Sequence, residues 1–461
     1  MDRRTEPESG GMTEGVISRQ LLDFFFPILL GTFFQQLYNT VDAMIVGKAL
    51  GKEALAAVGG ATGNLINLLV GFFVGLSSGA TVILSQYYGA RNDREVQKTV
   101  HTAAGMALLF GLGLTGVGLL LSQQLLTLMN TPVSVMPYAM RYVQIYFLGM
   151  VPQMIYNMGS GVLRAIGDSR RPLYFLMTAC LTNIVLDVIL VIGADMGVSG
   201  AALATVVSQL VSAVLVVLTL MRTTRSCRLM PRKIRLHGDT FLKIVRIGLP
   251  AGLQAVMYSV SNVLIQAAVN GFDTDVLAGW TAYGKLDGMF WMIVNAFGVS
   301  ITTFAGQNFG ARRYDRMRQG VRVSILQTLI GCAIIQAILL LFGRQLYGLF
   351  TTDAAVIEQG MGILRFLVPF YMTYILVEIL SGAVRGTGDS LIPTIMTLGG
   401  ICLVRVVWLL AVVPKYHTLV TVLMSYPITW ILTSCLFLVY YLRGSWLRRS
   451  IRRAGFEETE A

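Results

Sequence analysis

Apolar stretches of about 20 residues recur along the whole chain, and they constrain its fold more than any other feature. An apolar helix of about 20 residues crosses the hydrocarbon core of a bilayer, which is about 30 Å thick. In lipid the backbone polar groups must be satisfied within the protein, so such uninterrupted segments fold as helices. Charged residues make up only 13% of the sequence, against about 25% in soluble domains. The sequence therefore predicts an all-α membrane protein.

Twelve such spans, numbered in chain order, alternate with short polar segments. We predict a cytoplasmic head at 1–19, an N-lobe of six transmembrane helices at 20–221, a basic cytoplasmic linker at 222–243, a C-lobe of six more at 244–441 and a cytoplasmic tail at 442–461. The predicted bounds of the spans are 20–46, 54–80, 97–121, 137–160, 172–194, 199–221, 244–270, 278–304, 320–343, 362–383, 393–413 and 418–441.

Two motifs occur twice in the chain with the same shift. Gln-x-x-Gly-Ala-Arg at 86–91 returns at 307–312, and Arg-x-x-Gly-Asp-Ser at 164–169 returns at 385–390, a shift of 221 residues each time. A duplicated unit with an even number of spans enters the membrane twice in the same orientation, and parallel repeats of this kind occur in secondary transporters. The repeat therefore indicates two six-helix copies and a transport function.

The distribution of Lys and Arg predicts that both termini are cytoplasmic. With that orientation the cytoplasmic segments hold 28 of the 36 basic residues, in agreement with the positive-inside rule. The net charge of +12 is spread over these membrane-flanking segments. We therefore attribute it to topology and to contact with anionic lipid, and we expect no nucleic-acid partner.

Polar residues within the apolar spans are the candidates for function, because a charge in the hydrocarbon is costly and persists when it is paired, hydrated or useful. In the first copy these are Asp42 in span 1, Asn183 and Asp187 in span 5, and Thr205 in span 6. Asn183 and Asp187 are four residues apart and share a helix face. The oxygen-rich set could hold a sodium ion or keep a proton on one carboxyl. Alternatively, these side chains only hydrogen-bond to neighbouring helices.

The second copy lacks this set and carries a different one. At the offset of the repeat, Asp187 corresponds to Trp408. The second copy instead has Asp287 in span 8, Glu378 in span 10 and Arg405 in span 11. We predict that Glu378 pairs with Arg405, because pairing would reduce the cost of two buried charges. The difference between the copies suggests separate roles.

Other patterns indicate neither an enzyme nor a resident metal. The five cysteines and three histidines are scattered, with no disulfide or zinc spacing. A Gly-x-Ser-x-Gly match at 75–79 and a Gly-x-Gly-x-x-Gly match at 111–116 both lie inside apolar spans. These motifs need a strand–turn–helix context, whereas small residues in a membrane helix allow close packing. No cofactor is predicted.

The twelve-span layout and the two doubled motifs resemble the multidrug and toxic compound extrusion family of antiporters, over about residues 15–445. The resemblance implies two six-helix lobes around a central cavity. It also implies export of organic, often cationic and amphipathic compounds driven by entry of sodium ions or protons. It assigns the cation site to Asp42, Asn183, Asp187 and Thr205, and it associates Pro27 with bending of span 1. Span 7 lacks the acidic residue that some members carry, so coupling to the cation is expected in the first lobe.

We therefore predict a monomeric antiporter of the bacterial inner membrane that works by alternating access on small organic substrates. Neutralisation of Asp42 and Asp187 by the entering cation would let span 1 bend at Pro27 and release substrate. A flippase for lipid-linked or other large amphiphilic substrates is the main alternative; a passive channel and a membrane-embedded enzyme have less support. Each substrate-contact candidate could equally face lipid or pack: Gln35, Tyr38, Asn39, Met257, Tyr258, Trp291 and Met292.

Overall fold

The computed structural model describes residues 11–129 and 131–454, without the side chains of Lys52, Ala61 and Asn64. Within that part of the chain every regular element is a helix, and eleven helical segments are long and apolar enough to cross a membrane. The predicted all-α membrane class is therefore confirmed. Residues 1–10 of the predicted head and residues 455–461 of the predicted tail lie outside the described residues.

The eleven long segments correspond to every predicted span except the fourth. In place of span 4 the chain forms two consecutive helices of 13 and 16 residues that meet at Gly149. The helices of spans 1 to 6 are Ile17–Leu50, Ala61–Gly89, Asp93–Leu128, Met136–Leu148 with Met150–Ala165, Arg170–Asp187 with the π-helix Val188–Gly193, and Gly197–Arg222.

Spans 7 to 12 follow a short linker that contains the 3₁₀ turn Pro231–Lys233, and the chain ends its described part in the helix Ser445–Ala454. The helices of these spans are Gly238–Val269, Thr274–Gly310, Tyr314–Gly348, Ala354–Leu367 with Val368–Phe370 and Tyr371–Gly386, Leu391–Thr397 with the π-helix Leu398–Leu403 and Val404–Ala411, and Leu419–Leu423 with Ser425–Leu442.

The first doubled motif forms the same turn in both copies. Arg91 and Arg312 end their motifs with φ of 54° and 57°, a left-handed conformation that few residues other than glycine adopt. The Ala90 amide donates to the Gln86 carbonyl at 2.9 Å, and the Ala311 amide donates to the Gln307 carbonyl at 3.0 Å. The motif therefore ends a helix and turns the chain into the next span, which is a structural role.

The second doubled motif also forms one turn twice. Gly167 and Gly388 both have φ of 90°, which only glycine adopts readily. The aspartate that follows the glycine forms an ion pair in each copy. Asp168 pairs with Arg171 at 3.3 Å, and Asp389 pairs with Arg453 at 3.2 Å. Both copies of the motif thus form the same backbone turn, and in both the aspartate is held by an arginine.

The described chain divides into two compact units. The N-unit is Phe26–Gly252, and the C-unit contains the chain from Leu253 onward together with the described residues before Phe26. Spans 1 and 7 each run across a point where the units divide. Each of these two helices has an internal proline near that point, Pro27 in span 1 and Pro250 in span 7.

Glycines bring helix backbones into direct contact within the N-unit. A Cβ atom on Gly75 would lie 2.6 Å from the Gly252 Cα, and one on Gly79 would lie 2.7 Å from the Gly248 amide nitrogen. Spans 2 and 7 therefore approach each other with no side chain between them. The Gly-x-Ser-x-Gly match of span 2 lies inside the helix Ala61–Gly89, and its glycines serve packing.

Candidate functional site

The four candidate cation-site residues all lie in the N-unit, and all are buried. Asp42 is 8% exposed, Asn183 1%, Asp187 0% and Thr205 5%. Span 1 packs on span 5 close to them: the Cys180 thiol donates to the Phe34 carbonyl at 3.7 Å. Burial of two carboxyl groups between apolar helices is costly unless each finds a partner.

Most polar atoms of this set have no hydrogen-bond partner among the described residues. These atoms are Asp42 Oδ1, both carboxylate oxygens of Asp187, and both amide atoms of Asn183. The Asp42 and Asp187 carboxyl groups lie close enough to interact with each other. Two neighbouring carboxyls can hydrogen-bond to each other only when one of them carries a proton. The arrangement therefore suits a shared proton or a bound cation, either of which would satisfy the atoms that lack partners.

Local helix geometry places Asp187 and Thr205. The α-helical part of span 5 ends at Asp187, and the next six residues, Val188–Gly193, form a π-helix. π-Helical turns are rare and are frequent at functional sites. Gly200 of span 6 packs on this turn, since a Cβ there would lie 3.0 Å from the Leu190 carbonyl oxygen. The Thr205 hydroxyl donates to the Ala201 carbonyl at 3.1 Å, so its lone pairs remain available to a cation.

Two tyrosines lie close enough to both carboxyl groups to interact with them electrostatically. They are Tyr38 of span 1 and Tyr142 of span 4. Tyr38 was a substrate-contact candidate, whereas sequence reasoning missed Tyr142. Its signal was the spacing of Tyr142 and Tyr146, which are four residues apart, share a face of span 4 and stack with ring centroids 6.0 Å apart.

The candidates of span 1 follow one helix face. Gln35, Tyr38, Asn39 and Asp42 are spaced i, i+3, i+4 and i+7. Gln35 and Asn39 are exposed, Tyr38 is half-buried and Asp42 is buried, so the polar stripe leads from the surface of the described chain to the buried carboxyl. Pro27 lies within the same helix, eight residues before the first of them.

In the C-unit, Asp287 is held by three donors. The Tyr371 hydroxyl donates to its carboxylate at 2.6 Å, the Trp291 indole N–H at 2.7 Å and the Tyr283 hydroxyl at 3.2 Å. Tyr283, Asp287 and Trp291 are four residues apart in turn and lie on one face of span 8. Asp287 is therefore a satisfied carboxylate. Trp291, a substrate-contact candidate, is one of its partners.

The predicted pairing of Glu378 with Arg405 is wrong. The Glu378 carboxylate forms an ion pair with Arg385 at 3.3 Å, and Tyr374 donates to it at 3.5 Å. Glu378 and Arg385 are seven residues apart, so they share a face of the helix that contains both. The spacing of Glu378 and Arg385 in the sequence already indicates this pair on one helix.

Arg405 is buried, at 2% exposed, without a carboxylate partner among the described residues. Its Nη2 donates to the Thr429 hydroxyl at 3.4 Å, and its guanidinium carbon lies 4.4 Å from the centroid of the Tyr426 ring. Arg141 and Arg365, the other two arginines in or near spans, are exposed. A flippase for large amphiphilic substrates would be favoured by a strongly cationic interior, and of these three arginines only Arg405 is buried.

The remaining substrate-contact candidates of the C-unit are Met257, Tyr258 and Met292. Met257 is 38% exposed, whereas Tyr258 and Met292 are half-buried. The Tyr258 hydroxyl lies 3.1 Å from the Tyr374 hydroxyl, which joins span 7 to the helix of Glu378. Among the described residues no group of three or more His, Cys, Asp or Glu side chains could hold a metal ion.

Comparison with known proteins identifies the family. The model of the MatE family matches residues 27–189 and 250–410, once in each copy of the repeat, and together these cover more than half of the chain. The chain belongs to the MatE family. As a MatE protein it is a membrane transporter and not an enzyme, which confirms the predicted class of function.

Relatives of this MatE protein cover nearly its whole length. The probable multidrug resistance protein YoeA of Bacillus subtilis (strain 168) is 27% identical over 445 residues, 94% of this chain and 95% of that protein. A protein of Shewanella oneidensis named as an FAD transporter is 25% identical over 352 residues, 76% of this chain and 77% of that protein.

The fold is that of a solved structure described as the outward-facing conformation of a multidrug resistance MATE family transporter of the MOP superfamily. That structure has a TM-score of 0.87 and 22% sequence identity, and the match covers 95% of this chain and 98% of that one. The twelve-helix architecture predicted from the sequence is thereby confirmed.

Proposed function

We propose that this MatE protein exports organic, cationic amphipathic compounds from the cytoplasm in exchange for protons or sodium ions. The observation that carries the proposal is the N-unit cluster, defined as Asp42, Asn183, Asp187 and Thr205. Most of its buried polar atoms lack hydrogen-bond partners among the described residues, and its two carboxyls lie close enough to interact with each other. Such an arrangement costs stability, and cation binding offsets that cost.

The residues of the cluster have distinct tasks in this proposal. Asp42 and Asp187 carry the charge that an entering cation neutralises. Asn183 supplies an amide oxygen and Thr205 a hydroxyl oxygen, so a sodium ion would meet four oxygen-bearing side chains. A proton needs only the two carboxyls, which can share it without further ligands. We therefore take the proton as sufficient and sodium as able to occupy the same place.

Release of substrate follows from neutralisation of the carboxyls. With both ionised, Asp42 and Asp187 repel each other across spans 1 and 5. Uptake of the cation removes this repulsion and lets span 1 change its conformation. Pro27 is the place for that change, because proline in a helix removes one backbone hydrogen bond and strains the turn before it. Cation uptake and substrate release are thereby linked through one conformational change of span 1.

We further propose a monomer in the bacterial inner membrane with both termini in the cytoplasm. The orientation rests on the excess of Lys and Arg in the segments that would then be cytoplasmic. In this orientation the N-lobe of residues 20–221 and the C-lobe of residues 244–441 enter the membrane in parallel, joined by the basic linker 222–243. The names of the relatives, a multidrug resistance protein and an FAD transporter, support an organic cargo.

The substitution Asp187→Asn tests the function in cells. Asn has nearly the same volume and cannot exchange its charge, so the variant should insert normally but fail to export. In a bacterial strain that lacks its own efflux pumps, the unmodified chain should lower the accumulation of ethidium and raise resistance to it. Asp187→Asn should behave like the empty vector at equal amounts of protein in the membrane.

Asp195→Asn is the matched control. Asp195 follows span 5 by a few residues, is exposed, and has φ of 50°, a conformation that Asn also tolerates. This control should export ethidium at the unmodified rate. Normal export by Asp187→Asn, or equal loss in both variants, would contradict the proposed role of the cluster.

A further inference from the structure

Arg405 carries a charge in the middle of an otherwise apolar span of the C-unit. The span Leu391–Ala411 has a mean hydropathy of 2.0 over its most apolar window, and Arg405 is 2% exposed. Arginine stays charged at any relevant pH, and its presence within a membrane helix is costly. A charge of this kind is retained where it has a partner or a ligand.

The acidic side chains of the C-unit interior are engaged elsewhere. Glu378 pairs with Arg385 at 3.3 Å, and Asp287 accepts hydrogen bonds from two tyrosines and a tryptophan. Arg405 therefore has no carboxylate partner among the described residues.

One edge of the Arg405 guanidinium carries one donor without a partner and one donor with a single long contact. Nε is buried without a hydrogen-bond partner among the described residues, and Nη2 has only the long contact of 3.4 Å to the Thr429 hydroxyl. Nε–H and the adjacent Nη2–H point in the same direction, and this edge is a fork that matches the two oxygens of a carboxylate. The side chain thus presents an incomplete carboxylate site.

One aromatic ring lies against the guanidinium, and two more rings lie against that ring. The Tyr426 ring lies 4.4 Å from the guanidinium carbon, and its centroid is 5.4 Å from that of Trp430 and 6.2 Å from that of Trp280. Tyr426 and Trp280 are only half-buried, so part of the surface of each side chain remains accessible. A planar aromatic group can stack on such rings while an acidic substituent reaches the arginine.

The backbone around Arg405 is shaped to hold it there. The π-helix Leu398–Leu403 ends two residues before Arg405. A Cβ on Gly400 within this turn would lie 3.2 Å from the Thr433 Cβ, so the turn is packed tightly on span 12. One turn later the Trp408 indole donates to the Thr421 carbonyl at 2.8 Å and fixes the helix to the same neighbour. The helix that carries Arg405 is therefore held in place against span 12.

We infer that Arg405 and the rings of Tyr426 and Trp280 bind an aromatic amphiphile through its carboxylate. The inference rests on the proposed export function and names a substrate class for it, namely aromatic compounds that carry an acidic group in addition to any cationic one. The carboxylate accepts from Nε and Nη2, and the aromatic part stacks on the rings. Purely cationic compounds lack the group that this site recognises.

Two dyes that differ only at the acidic group test the inference. Rhodamine 110 has a free carboxylate, and rhodamine 123 is its methyl ester with the same ring system. Binding to the purified full chain is measured by fluorescence anisotropy. The unmodified protein should bind the acid at least as tightly as the ester. Arg405→Gln should raise the Kd of the acid at least about tenfold, as expected for loss of a bidentate charged hydrogen bond, and should change the Kd of the ester less than about twofold.

Two further variants keep the test decisive. Arg365→Gln removes an exposed arginine of the same unit and should leave both Kd values unchanged. Arg405→Lys keeps the charge but loses the fork, so it serves if Arg405→Gln does not fold; it should still weaken the acid more than the ester.

The possible outcomes separate the inference from the proposed function. Equal weakening of both dyes by the Arg405 variants would overturn the inference, because Arg405 would then only support packing. Binding and export of the ester without the acid by the unmodified protein would also overturn it and would leave the export function standing. Binding of neither dye, together with failure of ethidium export in cells, would overturn both.

Discussion

Asp287 and Asp187 are both aspartates of apolar helices, and their surroundings differ in a way that indicates function. Asp287 accepts from three donors, whereas both carboxylate oxygens of Asp187 lack partners among the described residues. Buried polar atoms are nearly always satisfied in folded proteins, so each exception calls for an explanation. A satisfied carboxylate stabilises its helices, while an unsatisfied one can accept a cation. At the residue scale, hydrogen-bond partners therefore distinguish Asp287 from Asp187, the carboxylate that we propose takes up a cation.

The ion pair between Glu378 and Arg385 belongs to the structural group and can be tested as such. Either Glu378→Gln or Arg385→Gln leaves a mostly buried charge without its partner, which is costly. The double variant should lose less stability than the sum of the two single variants, with a coupling energy of about 0.5–3 kcal/mol. Thermal unfolding of the detergent-solubilised protein measures the four members of this cycle.

A second cycle with Arg405 in place of Arg385 is the control for this prediction. Glu378→Gln and Arg405→Gln should have additive effects, because the two residues share no hydrogen bond or ion pair in the described chain. Additive losses in the first cycle would contradict the pair of Glu378 with Arg385, and strong coupling in the second would show that Glu378 pairs with Arg405 as the sequence had suggested.

At the scale of elements, the described part of each unit has one π-helical turn, and this turn lies next to a buried charged residue without an ion-pair partner among the described residues. In span 5 the π turn follows Asp187, and in span 11 it precedes Arg405. The two turns do not occupy equivalent positions of the repeat, and neither do the charges. A π turn inserts one additional residue and so changes the face that later side chains present. The duplicated copies have therefore diverged in helix geometry as well as in side chains.

The proposed bending of span 1 predicts a specific effect of Pro27→Ala. Alanine restores the backbone N–H donor and favours a straight helix, and proline within a helix costs about 3 kcal/mol. The variant should unfold at a higher temperature, bind ethidium with nearly unchanged Kd, and export it several-fold more slowly. Thermal unfolding, anisotropy and initial efflux rates from proteoliposomes give the three quantities.

Pro172→Ala is the matched control for the helix-bending prediction. Pro172 lies in the first turn of the helix Arg170–Asp187, where proline removes no intrahelical hydrogen bond. Its replacement should leave the efflux rate unchanged. Unimpaired efflux by Pro27→Ala would show that span 1 does not need this proline to complete the transport cycle.

At the scale of the whole molecule, the sequence predicted the helical architecture correctly, but it predicted the contacts between side chains less well. Hydropathy located the membrane helices because the bilayer fixes their length, and the repeated motifs revealed the duplication because the same turns recur. Sequence reasoning missed the break of span 4 at Gly149, the π turns and the three hydrogen bonds that hold the Asp287 carboxylate. These features depend on how helices pack against each other, which apolar periodicity does not encode. The partner of Glu378 was mispredicted for the same reason.

Coupling of export to cation entry through the N-unit cluster can be tested directly by one measurement. Proteoliposomes loaded with ethidium are given an external acid pH in sodium-free buffer, a sodium gradient at equal pH, or no gradient. The unmodified protein should release ethidium on the pH gradient alone and not without a gradient. Thr205→Val should change this release little, and the double variant Asp42→Asn with Asp187→Asn should show none. Equal release in all three conditions, or normal release by the double variant, would contradict the account.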